Sequence, residues 1–158
     1  MPVERSVDGP GRLPMIVCGS CAFNLWLPVA DLSVSTLGLY SDVRFPGRCL
    51  LAYTVEHVEE VADLRGGDAD AFFADVRRAC AAVKAVSGCD RVNVAFLGNT
   101  VSHLHAHLIP RRVAQEPKPS RPPWEDPRPF RQLPADLCTS LAGALAEQLA
   151  RGGWAQPS

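Results

Sequence analysis

A chain of 158 residues, 47% hydrophobic and 21% charged with a formal net charge of −1, has the composition of one folded domain with a sizeable core. The near-neutral balance excludes the broad basic footprint that duplex nucleic acid or an anionic membrane attracts, and no run approaches the ~20 apolar residues of a membrane helix. Partners must therefore be sought at sites. Met1 to Leu13 is polar and carries Gly and Pro where a secretion signal is apolar, so a cytoplasmic protein is expected. In that reducing compartment Cys18, Cys21, Cys49, Cys80, Cys89 and Cys138 are expected as buried thiols or metal ligands.

Residues 1–14 show little apolar periodicity and read as a loose leader. Val34 to Tyr40 and Arg48 to Thr54 are short runs rich in Leu, Val and Tyr, separated by Phe45-Pro46-Gly47, which predicts strand, turn and strand. From Asp68 to Ser87, Ala71, Phe72, Val76, Ala79, Cys80, Val83 and Val86 fall at helical spacing, with Asp68 or Asp70 as N-cap and Gly88 as the stop. Arg91 to Leu97 alternates around Val92, Val94 and Phe96, Gly98-Asn99 makes a bend, and Val101 to Pro110 is a second apolar run, so an antiparallel pair is expected. Prolines between Ala114 and Pro134 keep most of that segment out of any helix or central strand, which leaves an extended arm or loop. Helical spacing returns from Asp136 to Arg151 through Leu137, Leu141, Leu145 and Leu149, with Gly152-Gly153 as the stop. The periodicity defines an α+β domain, divided into the leader (1–14), a body (15–113), the Pro-rich arm (114–134) and a C-terminal helix and tail (135–158).

Three of the four histidines are His103, His105 and His107. On a strand their two-residue spacing puts all three on one face, with Leu104, Ala106 and Leu108 toward the core. Three imidazoles on one face of an apolar strand are costly unless that face meets solvent, a ligand or a metal. Two chemistries suit them: ligation of a metal by alternate histidines, or attack of one imidazole on an α-phosphorus through a covalent phosphoramidate.

The flanking residues bear on that choice. The signature His103-Leu104-His105-Ala106-His107-Leu108-Ile109, followed by Pro110-Arg111 and preceded by Gly98-Asn99-Thr100-Val101, resembles the histidine triad family. The stretch from Phe45-Pro46-Gly47-Arg48 to Glu56-His57-Val58 is similar to that family's strand ending in a His-Ile/Val step. The resemblance covers roughly Cys18 to Trp124. It implies a histidine triad-like fold: an antiparallel sheet of about five strands, one long helix after the second core strand and a C-terminal helix, commonly assembled as a homodimer. It also implies a hydrolase or nucleotidyltransferase acting on a nucleoside 5'-phosphate derivative, of the dinucleoside polyphosphate or nucleoside phosphoramidate type, with no cofactor required for the reaction.

Residue by residue, His105 matches the nucleophile, His107 the contact to phosphate and leaving-group oxygens, and His103 a supporting position. Gly98, Asn99 and Thr100 match the phosphate-binding approach, where Asn99 stands for a glutamine and the preceding loop is shorter than in the common pattern. Asn93 is the alternative amide, or a structural residue of its strand. Asp42 falls where the family places a ribose-binding carboxylate, and its competing reading is a turn former. Leu39 or Phe45 are candidates to touch the base, and the arm around Trp124 reads as packing, a dimer contact or the border of a leaving-group site.

Cys18-Gly19-Ser20-Cys21 offers two thiolates to a structural zinc, with His57 and His103, from positions that match such sites in some triad proteins, to complete a tetrahedron. Buried thiols or a redox dithiol are the alternatives, and His57 has its own reading as a core histidine. Besides the nucleotidyl-transfer enzyme, the residues leave open a nucleotide-binding module with little turnover and a metal-dependent hydrolase ligated by all three histidines.

Overall fold

The computed structural model describes residues 3–6 and 15–152. The remainder of the expected leader, Gly153 of the expected stop and the tail after it lie outside the described residues. Among the described residues, eight strands and two long helices follow in order: β1 Val3–Ser6, β2 Met15–Cys18, β3 Asn24–Leu25, β4 Pro28–Asp31, β5 Ser35–Leu39, β6 Cys49–Tyr53, α1 Gly67–Ser87, β7 Arg91–Ala95, β8 His105–Arg111 and α2 Ala135–Arg151. This is the expected α+β fold. Each predicted strand or helix is present within a few residues of its expected ends, except that Val101 to Leu104 precede the last strand. No helix among the described residues is long and apolar enough to cross a membrane.

The principal sheet has five antiparallel strands in the order β4-β5-β6-β8-β7. After β6 the chain crosses one face as α1 and descends as the edge strand β7, then turns back so that β8 inserts between β7 and β6. The triad strand thereby becomes central. Its period of two divides the side chains: Leu104, Ala106 and Leu108 join Leu37, Leu39, Cys49, Leu51 and Tyr53 in the core beneath α1 and α2. His105 lies across from Ala52 and His107 from Leu50, on the opposite face.

That opposite face is partly covered by a smaller sheet, β1-β2-β3, which the sequence reading did not anticipate. The loose-leader reading is corrected over Val3–Ser6, where β1 pairs antiparallel with β2 from Val3 opposite Cys18 to Ser6 opposite Met15. Ile16, Cys18, Phe23 and Leu25 bury themselves against Ala52 and Leu50. Gly38 makes this approach feasible, since a Cβ there would stand 2.4 Å from Leu25 Cδ1.

Two polar anchors set the remaining layers. Asp75 of α1, fully buried, accepts hydrogen bonds from Ser33 N, Val34 N and Ser35 Oγ at 3.1, 2.9 and 2.7 Å, which fastens the helix to the β4–β5 turn. Asp68, expected as an N-cap, lies one turn-position inside α1, whose cap is Gly66. Its carboxylate instead accepts a hydrogen bond from the Tyr53 hydroxyl at 2.5 Å. Gly88 ends α1 in the left-handed region with its N–H on Lys84 O, as expected.

The Pro-rich segment is an arm with neither strand nor α-helix, broken by turns and by a short 3-10 helix at Pro123–Glu125. Buried Arg111 holds its first part, donating to Glu116 Oε1 at 2.7 Å, Asn93 Oδ1 at 2.7 Å and the Arg121 carbonyl at 2.8 Å. Its second part returns to the sheet through Val43 N on the Arg131 carbonyl and Leu133 N on Ser41 Oγ, both at 2.8 Å.

Candidate active site

The triad residues occupy unequal positions. His103 is fully buried just ahead of β8, in a bend and not within the strand, while Leu104 N and O pair with Val58 O and Tyr53 N. His103 Nε2 lies 2.8 Å from the Tyr53 carbonyl, and a carbonyl can only accept, so Nε2 carries the proton and Nδ1 presents a lone pair. His105 Nδ1 lies 2.6 Å from the carbonyl of His103. By the same reasoning its proton is on Nδ1, and Nε2 is left as the unprotonated nitrogen. Phe23 stacks on the His103 ring at 4.7 Å between centroids and leans on His105 at 5.3 Å.

His107 is half-buried, with its ring 5.0 Å from that of His105. Arg48, which immediately precedes β6, brings Nη2 to 3.2 Å from His107 Nδ1. Burial lowers the pKa of all three histidines, and His107 falls furthest, to about 4, with His105 and the Arg48 cation adding to the effect of burial. At neutral pH the face presents neutral imidazoles. That state serves a nucleophile or a metal ligand.

His103 Nδ1 faces a second cluster. Sγ of Cys18, Sγ of Cys21 and one ring nitrogen each of His57 and His103 all lie within 4.8 Å of one another. The contacts are 3.6 Å for Cys18 Sγ to His57 Nδ1, 3.7 Å for Cys21 Sγ to His103 Nδ1 and 3.4 Å between the two Nδ1 atoms. A tetrahedral zinc with ordinary bond lengths separates two nitrogens by ~3.3 Å and nitrogen from sulfur by ~3.6 Å. The four donors therefore fit that ion. The Tyr53 carbonyl behind His103 also has the place of an outer partner that fixes a ligand's tautomer. Among the described residues this cluster takes in His103 but neither His105 nor His107, so the three triad histidines do not converge on one metal.

Several expected site residues stand elsewhere. Asp42 is fully buried, and its carboxylate is engaged by Arg44 N, Nε and Nη2, each at 3.0 Å, and by Arg48 Nη1 at 2.9 Å. It is not open to a ribose; its work is to hold two arginines. Leu39 is in the core beneath the helices, and Phe45 is buried under the guanidinium groups of Arg44, Arg111 and Arg128, so neither is open to a base. Asn93 accepts from Arg111 on the edge strand. Gly98 bends the β7–β8 loop at a φ of +66°, and Asn99 and Thr100 beside it are exposed, with no side-chain hydrogen bond among the described residues. Trp124 is exposed on the arm.

The sequence reading missed Arg48, Phe23 and an aromatic wall. Tyr40 meets His107 edge-on at 6.4 Å and Phe130 of the arm at 6.2 Å, and Phe130 is half exposed. The arm thus flanks the triad through Phe130. Only the β6–β8 register, which pairs Leu50 with His107, reveals Arg48 as a neighbour of the triad.

The chain belongs to the histidine triad family: its HIT domain pattern matches residues 34–114. Among solved structures it is similar to a histidine triad protein from Bradyrhizobium japonicum, with 28% identity and a TM-score of 0.70 over 78% of this chain and 90% of that one. A histidine triad protein from Sinorhizobium meliloti is similar at 26% identity and a TM-score of 0.69, over 77% of this chain and 87% of that one. A Zn-bound histidine triad family protein from Mycobacterium smegmatis shares the fold, with 21% identity and a TM-score of 0.56 over 78% and 84% of the respective chains. No curated protein sequence matches the chain.

Proposed function

We propose that the protein is a nucleotidyl hydrolase or transferase that cleaves a nucleoside 5'-phosphate derivative at its α-phosphate through a nucleotidyl-His105 intermediate. The observation that carries this reading is the 2.6 Å contact from His105 Nδ1 to the His103 carbonyl. It leaves the Nε2 lone pair to attack phosphorus and steadies the positive charge that the ring acquires as the bond forms. In the first step the Nε2–P bond forms and the bond from phosphorus to the leaving group breaks, with the electron pair departing on the leaving group. In the second, water or another acceptor attacks the same phosphorus, and the Nε2–P electron pair returns to His105. His107 sits where it can meet the phosphoryl oxygens, and backbone and side-chain donors of Gly98, Asn99 and Thr100 are the candidates to complete the cradle.

Cys18, Cys21, His57 and His103 would hold a structural zinc, which clamps the small sheet onto the residue whose carbonyl orients His105. The reaction as written needs no other cofactor. Six cysteines without a disulfide suit the reducing cytoplasm. The homodimer implied by the family resemblance would find β7 as a sheet edge, beside exposed Val94, Phe96 and Leu97.

The test is a panel of dinucleoside polyphosphates and nucleoside phosphoramidates, scored by the nucleoside monophosphate released. Wild-type protein is expected to turn over members of the panel, and His105→Ala to lose activity by on the order of 10⁴-fold or more. Tight nucleotide binding with no turnover would establish the binding-module alternative, and full activity in His105→Ala would refute the mechanism.

A further inference from the structure

Arg48 is unusually committed for a residue outside the signature. Its Nη1 is tied to buried Asp42 at 2.9 Å, its Nη2 reaches His107 Nδ1 at 3.2 Å, and its Cζ lies 4.1 Å over the Tyr40 ring. Its Nε is buried and, among the described residues, is the side-chain polar atom left without a partner. A buried donor without an acceptor costs stability, so packing alone would not select this arrangement.

Resting on the nucleotidyl-transfer reading above, we infer that Arg48, oriented by Asp42, is a positioning residue that holds His107 as a neutral Nε2–H donor for the phosphoryl oxygens, with a fixed positive charge behind it. A guanidinium has five donors and no acceptor. His107 Nδ1 beside it must therefore accept, and the ring's one proton belongs on Nε2. His105 is in the opposite state, since the His103 carbonyl holds its proton on Nδ1. Two neighbouring imidazoles on one strand are thus set in complementary tautomers, one offering a lone pair from Nε2 and the other a hydrogen. Without an obligate donor at its Nδ1, His107 would be free to take either tautomer, and only one of them donates toward the phosphate.

The charge matters as well as the tautomer. The charged and titratable groups around His107 are Arg48, then Asp42 and Arg44 behind it, His105 on the same strand, and Tyr40 at the end of β5. One carboxylate faces two guanidinium groups, so the set keeps a net positive charge that neutral His107 passes on as a polarised N–H. His107 donates a hydrogen bond and keeps its proton. Anionic oxygen is the chemistry such a donor suits.

The test is ¹⁵N NMR of histidine-labelled full-length protein, as purified, for wild type, Arg48→Met and Arg48→Lys. Wild-type His107 is expected to show an unprotonated Nδ1 and a protonated Nε2 at neutral pH. Arg48→Met is expected to show mixed tautomers and a kcat lowered by about 100-fold, while Arg48→Lys, which still donates, keeps the wild-type tautomer. Asp42 retains Arg44 in either variant, which protects the fold, and unchanged shifts of His103 would confirm it. A wild-type His107 pattern in Arg48→Met would overturn the inference. The NMR readout needs no substrate, so failure to find a nucleotidyl-His105 adduct would sink the proposed reaction and leave this result standing.

Discussion

Replacing Phe23 with alanine probes the joint between the small sheet and the triad. Phe23 is 4% exposed, belongs to the cluster of Ile16, Cys18, Leu25 and Ala52, and stacks on His103 at an interplanar angle of 16°. Burying Phe and then truncating it to Ala typically costs about 3–5 kcal/mol. The neighbouring Cys21 is only half-buried, so the site borders solvent, which places the expected loss near the lower end, about 3 kcal/mol. Phe23→Leu keeps most of the apolar volume and removes the ring stack, so about 1 kcal/mol is expected. Urea denaturation measures both. A functional readout accompanies it: acylation of His105 by diethyl pyrocarbonate should quicken in Phe23→Ala, because the ring that leans on it is gone. An alanine variant that loses less than about 1 kcal/mol with unchanged His105 reactivity would refute the claim that Phe23 packs over His103 and His105.

Two further outcomes follow from the site. Folded His107 has its pKa lowered from 6.5 to about 4, chiefly by burial, with His105 and Arg48 adding to it. A lowered histidine pKa means that the unfolded chain binds the proton more readily. The stability this contributes is whole above pH ~6.5 and is lost as the pH falls toward ~4. Urea midpoints taken between those limits should decline, and His107→Gln should decline less steeply; identical slopes would contradict the assignment. Protein purified without chelator should carry stoichiometric zinc, and Cys21→Ser should lose it and melt at a lower temperature. A metal-free wild type that melts at the same temperature with and without added zinc would remove the structural ion from the account.

The elements that were legible in the sequence are those whose period meets a single environment. α1 buries Phe72, Val76, Ala79 and Val83 at helical spacing, and β8 with the preceding Leu104 sends Leu104, Ala106 and Leu108 to the core and the strand's histidines to the other face. What was not legible depends on register or on partners distant in sequence. β3 is two residues long, too short for an alternation to show, so the small sheet and Phe23 with it were unseen. Leu39 and Phe45 had suitable chemistry but lie in the core and under the arginines, which only the packed sheet and arm decide. Asp42 had the right residue type for a ribose, and the sequence does not reveal that Arg44 and Arg48 close on it from the same turn. The zinc donors were named from spacing and resemblance together. Their convergence depends on β2, the segment after β6 and the bend before β8 coming together in space.

The central claim is that His105 Nε2 becomes covalently bonded to the α-phosphorus. Wild-type protein mixed with a dinucleoside polyphosphate or a nucleoside phosphoramidate, quenched within the first turnovers and analysed by peptide mass spectrometry, measures this directly. The expected result is a nucleoside monophosphate adduct on the peptide bearing His105, localised to that residue and absent from His105→Ala. Turnover of the same substrate with no adduct on His105, or undiminished turnover by His105→Ala, would contradict the account.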